Sequence, residues 1–107
     1  MEQAGDFRRT VELIVRQVGH WQQPRWAASA AGGNVSRADL VHRLVQELAN
    51  LVADAEARPR RLVPRLDHDV ALPDQLRVVA ADLLAAGASD ATLARAASVA
   101  TATRAAL

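Results

Sequence analysis

Apolar residues at Phe7, Val11, Ile14, Val18 and Trp21 alternate steps of four and three, which places them on one stripe of a helix. Val15 widens the stripe, while Arg8, Arg9, Glu12 and Arg16 fall on the opposite side. The pattern predicts an amphipathic helix over 6–21, with Asp6 as its N-cap, because a carboxylate there accepts from the unpaired amides of the first turn. From 22 to 35 the period is lost: Pro24 interrupts it, and Ala30-Ala31-Gly32-Gly33-Asn34 has the composition of a loop. This irregular segment is longer than bundle connections usually are, so it reads as a crossover or as an arm that orders on binding, with a short helical turn around 25–29.

Ser36 followed by Asp39 resembles a capping box and opens a second helix over 37–57, which Pro59 ends. Its stripe of Leu40, Val41, Leu44, Val45, Leu48, Leu51, Val52 and Ala55 is broad enough to meet two neighbours, which makes this the central helix. A second irregular segment covers 58–68. A third helix follows over 70–86, with the acids Asp67 and Asp69 as candidate caps, Pro73 tolerated in the first turn, and Leu72, Leu76, Val79, Ala80 and Leu83 facing inward. Gly87 stands where a helix ends in left-handed geometry, and Ser89 caps a fourth helix over 90–106. The short connection predicts an antiparallel hairpin between the third and fourth helices. Leu93, Ala96 or Ala97, Ala100, Thr103 and Leu107 mark the inner face of the fourth helix, whose small residues permit close backbone approach.

These elements predict an all-α fold, a small bundle of about four helices in a single domain spanning 1–107, with no internal repeat. Composition adds constraints. Half the residues are apolar but only 3% are aromatic (Phe7, Trp21 and Trp26), so the core is built of Leu, Val and Ala. With 0 cysteines, disulfides and thiolate metal sites are excluded. All 13 basic residues are arginine, a bias that GC-rich bacterial coding produces. A net charge of +1 is too even to imply nucleic acid or membrane by itself. No run approaches the ~18 apolar residues of a membrane span. The opening Met-Glu-Gln-Ala-Gly-Asp is acidic where a secretory leader is basic, so the expected location is cytoplasmic.

Few residues carry candidate chemistry. Arg58, Arg60, Arg61 and Arg65 cluster on a proline-stiffened segment, and guanidinium matches phosphate oxygens in a fork. The flanking acids Asp54, Glu56, Asp67 and Asp69 largely neutralise them, however, and no aromatic is interleaved for base stacking. His68 lies between two acids, but His20 and His42 belong to separate predicted helices, and no histidine spacing suits a metal. Trp21 and Trp26 flank Pro24 and are either core residues or the walls of a small-ligand pocket; Trp21 continues the apolar stripe, whereas Trp26 is out of register. No catalytic constellation or cofactor motif is present, and the carboxylates stand at surface ion-pair spacing from arginines, as Asp39 and Glu47 do from Arg43.

The expected function is therefore a non-enzymatic protein-interaction or regulatory module without cofactor or metal. Its expected partner is a second copy or another protein. Nucleic-acid binding through 58–65 stands second, and small-ligand binding at Trp21 and Trp26 third.

Overall fold

Each of the four periodic segments forms a long helix in the computed structural model, which describes residues 3–31 and 33–107. In chain order the helices are α1 (Gln3–Val18), a short α2 (Gln23–Ala27), α3 (Arg37–Ala55), α4 (Leu72–Ala85) and α5 (Asp90–Ala106). The fold is all-α. Among the described residues the only bridge of β type joins Ser29 and Ser36.

α1 begins earlier than its pattern suggests, so Asp6 is not a cap. It lies in the first turn, where the helix dipole favours a carboxylate, and it accepts from Arg9 at 3.1 Å. The helix also stops earlier, at Val18. The Gly19 amide still donates to the Val15 carbonyl at 2.8 Å, and a Cβ at 19 would sit 2.7 Å from that oxygen. Glycine is needed for this close approach. Trp21 then peels away from the helix but stays buried, because its ring meets that of Trp26 edge-on at 5.2 Å.

The expected loop 22–35 is more ordered than its composition implies. Gln23–Ala27 is helical, with Pro24 in the first turn, and Trp26 is 0% exposed. Beyond it, the Ala30 amide donates to Val35 O and the Arg37 amide to Ala28 O, both at 2.9 Å, closing the segment on itself. The Ala31 amide reaches Ala106 O at 3.0 Å, tying the segment to the end of α5. Gly32, within that expected loop, and Met1 and Glu2 lie outside the described residues.

α3 opens with the capping box: Ser36 Oγ accepts from the Asp39 amide at 3.0 Å, and Asp39 accepts from the Ser36 amide at 3.4 Å. The helix ends at Ala55, two residues before the expected stop, in a Schellman turn. The Arg58 amide donates to Ala53 O at 2.8 Å, the Ala57 amide to Asp54 O at 3.2 Å, and Ala57 holds a φ of 54°. Alanine thus occupies a left-handed position that usually falls to glycine. At the end of α4 the equivalent place is taken by Gly87, with φ 71°. The contrast predicts opposite signs: Ala57→Gly should stabilise by about 0.5–1 kcal/mol and Gly87→Ala should destabilise by about 1 kcal/mol, read from urea unfolding midpoints.

Before α4 the chain makes a 3-10 turn over Asp69–Ala71, so the regular helix starts at Leu72 rather than 70. Neither Asp67 nor Asp69 caps it; the Asp69 carboxylate instead accepts from Gln23 and Arg65. α5 is capped as expected, with the Thr92 amide donating to Ser89 Oγ at 3.1 Å. The short connection 86–89 joins α4 to α5, and each of the two has its main neighbour elsewhere, α4 on α3 and α5 on α1, with α1·α4 and α3·α5 as the lesser contacts. Leu93, Ala96 and Ala100 form the buried stripe of α5, and the close approach these alanines permit is made with α1.

One hydrophobic cluster unites all five helices, running from Phe7, Ile14 and Val18 through Trp26, Leu44 and Leu48 to Leu76, Leu83 and Ala100. Each fully buried Leu or Ile adds roughly 1.5–3 kcal/mol of transfer free energy. The broad stripe of α3 is largely taken up inside the chain, facing α4, α5 and α2. No helix among the described residues is long and apolar enough to cross a membrane.

Candidate functional site: an apolar groove beside the 58–68 strap

The segment 58–68 has no helix or sheet of its own, and its prolines at 59 and 64 remove two backbone donors. It runs as a strap across the outer side of α3 and α4. Gln46, on α3, is the main fastening. Its Nε2 donates to Arg61 O at 2.9 Å and its Oε1 accepts from the Val63 amide at 2.7 Å. A side-chain amide has one donor end and one acceptor end close together, so it can engage two main-chain groups that face the same way. The same Nε2 also donates to Asn50 Oδ1 at 3.0 Å, which orients the amide. One turn earlier on α3, His42 Nε2 lies 3.1 Å from Val63 O, and from α4 Gln75 Nε2 donates to Pro64 O at 3.4 Å. Gln46→Ala should cut the main fastening: amide exchange at Val63 should speed by at least about tenfold with helix content unchanged, at a cost of roughly 1–3 kcal/mol.

The arginines of the strap are mostly committed to acids of this chain. Arg60 donates twice to Asp54, at 3.0 and 2.7 Å, and Arg58 pairs with Glu56. Arg65 bridges Asp39 at 2.9 Å and Asp69 at 3.3 Å. Hydrogen bonding from Arg65, with help from Ser36, holds the Asp39 carboxyl below its ordinary value, and that from Arg60 does the same for Asp54; both arginines are shifted upward in return. These pairs are solvated, so each adds little stability. Asp39 lies far from the cluster in sequence, and Asp67 makes no ion pair among the described residues. Of the four candidate arginines, only Arg61 has a guanidinium without an ion pair among the described residues. The cluster therefore presents little unclaimed positive charge to a phosphate backbone.

The two tryptophans are brought together but face inward. The guanidinium of Arg25 lies 5.7 Å, and that of Arg37 5.4 Å, from the centre of the Trp21 ring, which shields it further. Trp26 Nε1 is buried without a hydrogen-bond partner among the described residues, an unmet donor inside the core. Neither ring lines the five main surface clefts among the described residues.

Between the strap and α4 lies the feature that the sequence reading did not single out. A groove of about 540 Å³ has Val45 and Ala49 of α3 as its floor, Val63 and Leu66 on the strap side, and Val78 and Val79 on the α4 side. It continues into a smaller hollow of about 260 Å³ that shares Ala49, Val63 and Val79 and is bounded by Leu62 and Arg61. Leu62 is 90% exposed, Val78 61% and Leu66 44%, so three of the four large exposed apolar side chains among the described residues gather here; the fourth is Val70. Asp74 and Asp82 stand on the α4 rim without ion pairs among the described residues, and Arg61 stands on the strap rim. Gln75 Oε1 is buried beside the groove with no donor to meet it among the described residues. One signal for this site was legible: Val78 is apolar at a position that the stripe of Leu76, Val79 and Leu83 does not use.

Compared with protein-family models, curated proteins and solved structures, the chain matches none. The case for function therefore rests on the groove.

Proposed function

We propose that the chain is a cytoplasmic protein-interaction module that works as a homodimer, burying the groove between the strap and α4 against a second copy. The observation that carries this reading is the concentration of Leu62, Leu66 and Val78 around one apolar depression. Isolated exposed apolar residues are ordinary on a protein surface, but a contiguous set rimmed by polar groups marks an interaction site.

The charges at the rim favour a second copy as the occupant. One edge carries the acids Asp74 and Asp82 and the opposite edge carries Arg61, none of them in an ion pair among the described residues. A two-fold axis brings each edge against its opposite, and a two-fold contact must be self-complementary in this way. The shape argues alike: Leu62 projects from the strap beside a hollow of about 260 Å³, room enough for the corresponding leucine of a second copy. A stable contact of this kind covers roughly 800 Å² per partner, which requires the strap and the outer faces of α3 and α4 together. The face is apolar with a few charges at its rim, suited to docking rather than to proton or group transfer.

Isotope-filtered NMR on a mixture of labelled and unlabelled chain tests the reading. Contacts between the Leu62 methyls of one copy and Val78 of the other are expected. Their absence at millimolar concentration would exclude this face as the self-contact.

A further inference from the structure

The strap has two main-chain edges, and the one turned away from α3 is engaged within the chain only at Pro64 O. Arg61 O and the Val63 amide meet Gln46, and Val63 O meets His42, so residues 61 and 63 turn their main-chain groups toward α3. In an extended chain alternate residues direct their amide and carbonyl to opposite sides. Leu62 therefore presents its N–H and C=O away from α3, and neither has a protein partner among the described residues. Pro64 O, next on that side, takes the Gln75 side chain from α4. Leu62 thus sits at the centre of an open strand edge, with its side chain almost fully exposed. Such edges pair with other chains unless something covers them.

Resting on the homodimer reading above, we infer that the two copies join by antiparallel main-chain pairing of their straps, with Leu62 opposite Leu62 of the second copy. On a two-fold axis this register lets each Leu62 amide donate to the other copy's Leu62 carbonyl, giving two hydrogen bonds. The prolines select it. Arg60 then faces Pro64 of the second copy: the Arg60 amide can donate to the Pro64 carbonyl, and the donor that proline lacks is missed only at the ends of the ladder, by the Arg60 carbonyl, while the central Leu62 pair keeps both its bonds. A slip of two residues would set Pro64 opposite Leu62 and leave the Leu62 carbonyl without a donor. The occupant is a second strap rather than an arbitrary peptide because the strap is itself extended, carries Leu62 as its projecting apolar group, and brings Arg61 toward the acidic rim of Asp74 and Asp82.

The experiment is amide exchange at Leu62 in the intact, nitrogen-labelled chain over a concentration series, with sedimentation on the same samples. As dimer forms, exchange at Leu62 should slow by at least about tenfold. Leu62→Pro, which removes the donor, should raise the dimer dissociation constant at least about tenfold beyond Leu62→Ala, which keeps it. A dimer whose Leu62 amide exchanges at one rate throughout, or in which the two variants weaken association equally, overturns strap pairing and leaves the dimer standing. A chain that stays monomeric at every concentration overturns both. The exchange measurement on the wild type decides even if the proline variant fails to fold.

Discussion

Replacing Trp26 with alanine should destabilise the chain by about 3–5 kcal/mol and lower its midpoint of thermal unfolding by about 15–25 °C. Trp26 is the largest fully buried side chain, and it is the one anchor of the short α2. A helix of this length cannot persist on local hydrogen bonds, since nucleation is unfavourable and there are few bonds to offset it. Its ring holds α2 against α3 and against the 3-10 turn that precedes α4, and supports Trp21 edge-on. Truncation leaves a cavity that the surrounding packed elements can close only in part, so the cavity penalty adds to the lost transfer free energy. Trp26→Phe should cost much less, under about 2 kcal/mol. The phenyl ring keeps most of the apolar contact and removes the unmet indole donor, whose burial itself costs roughly 1–3 kcal/mol. Calorimetry on the two variants checks both values. Equal losses would mean that the indole N–H has a partner in solution.

Val78→Arg is the second large effect, and it should appear in association rather than in folding. The Val78 side chain points mostly to solvent, so the substitution should change the unfolding free energy of a single copy by no more than about 0.5 kcal/mol. In the dimer each copy would carry a guanidinium into the apolar groove, where Asp74 and Asp82, one turn to either side, would draw it and be lost as partners for Arg61 of the second copy. Desolvating such a charge costs several kcal/mol even when it is paired, so the dissociation constant should rise by at least about a hundredfold. Circular dichroism should show the same helix content as the wild type.

The long helices were legible because their apolar residues keep one period through Phe7–Val18, Val41–Val52, Leu72–Leu83 and Leu93–Ala100. Their ends were less legible, each for a local reason. Trp21 continues the stripe of α1 in number but not in space, because Gly19 lets the chain turn while the tryptophan is retained by Trp26. Ala57 hides the end of α3, since alanine is a strong helix former and here takes the left-handed place. Trp26 looked out of register only because it was measured against α1, when it belongs to a helix of its own. The hairpin connection was visible in Gly87 and Ser89, but the main neighbour of each arm was not, because packing on α1 or α3 is decided far along the chain.

The groove was the least legible part. Its walls come from α3, the strap and α4, and the strap is fixed by Gln46, His42 and Gln75, whose polar side chains carry no mark in sequence of what they bind. Three of the four strap arginines pair with Asp54, Glu56, Asp39 and Asp69, and Leu62 adds an exposed apolar side chain between them that the charge pattern did not mark. The broad stripe of α3 is satisfied mainly within the chain, so the case for a dimer rests on the groove face instead.

Sedimentation equilibrium of the wild-type chain from micromolar to hundreds of micromolar, beside Val78→Arg, tests the central claim most directly. The account predicts a wild-type mass that climbs from 11.5 kDa toward twice that value, with the variant remaining at 11.5 kDa. A wild-type mass of 11.5 kDa throughout, or a variant that associates as strongly as the wild type, would contradict it.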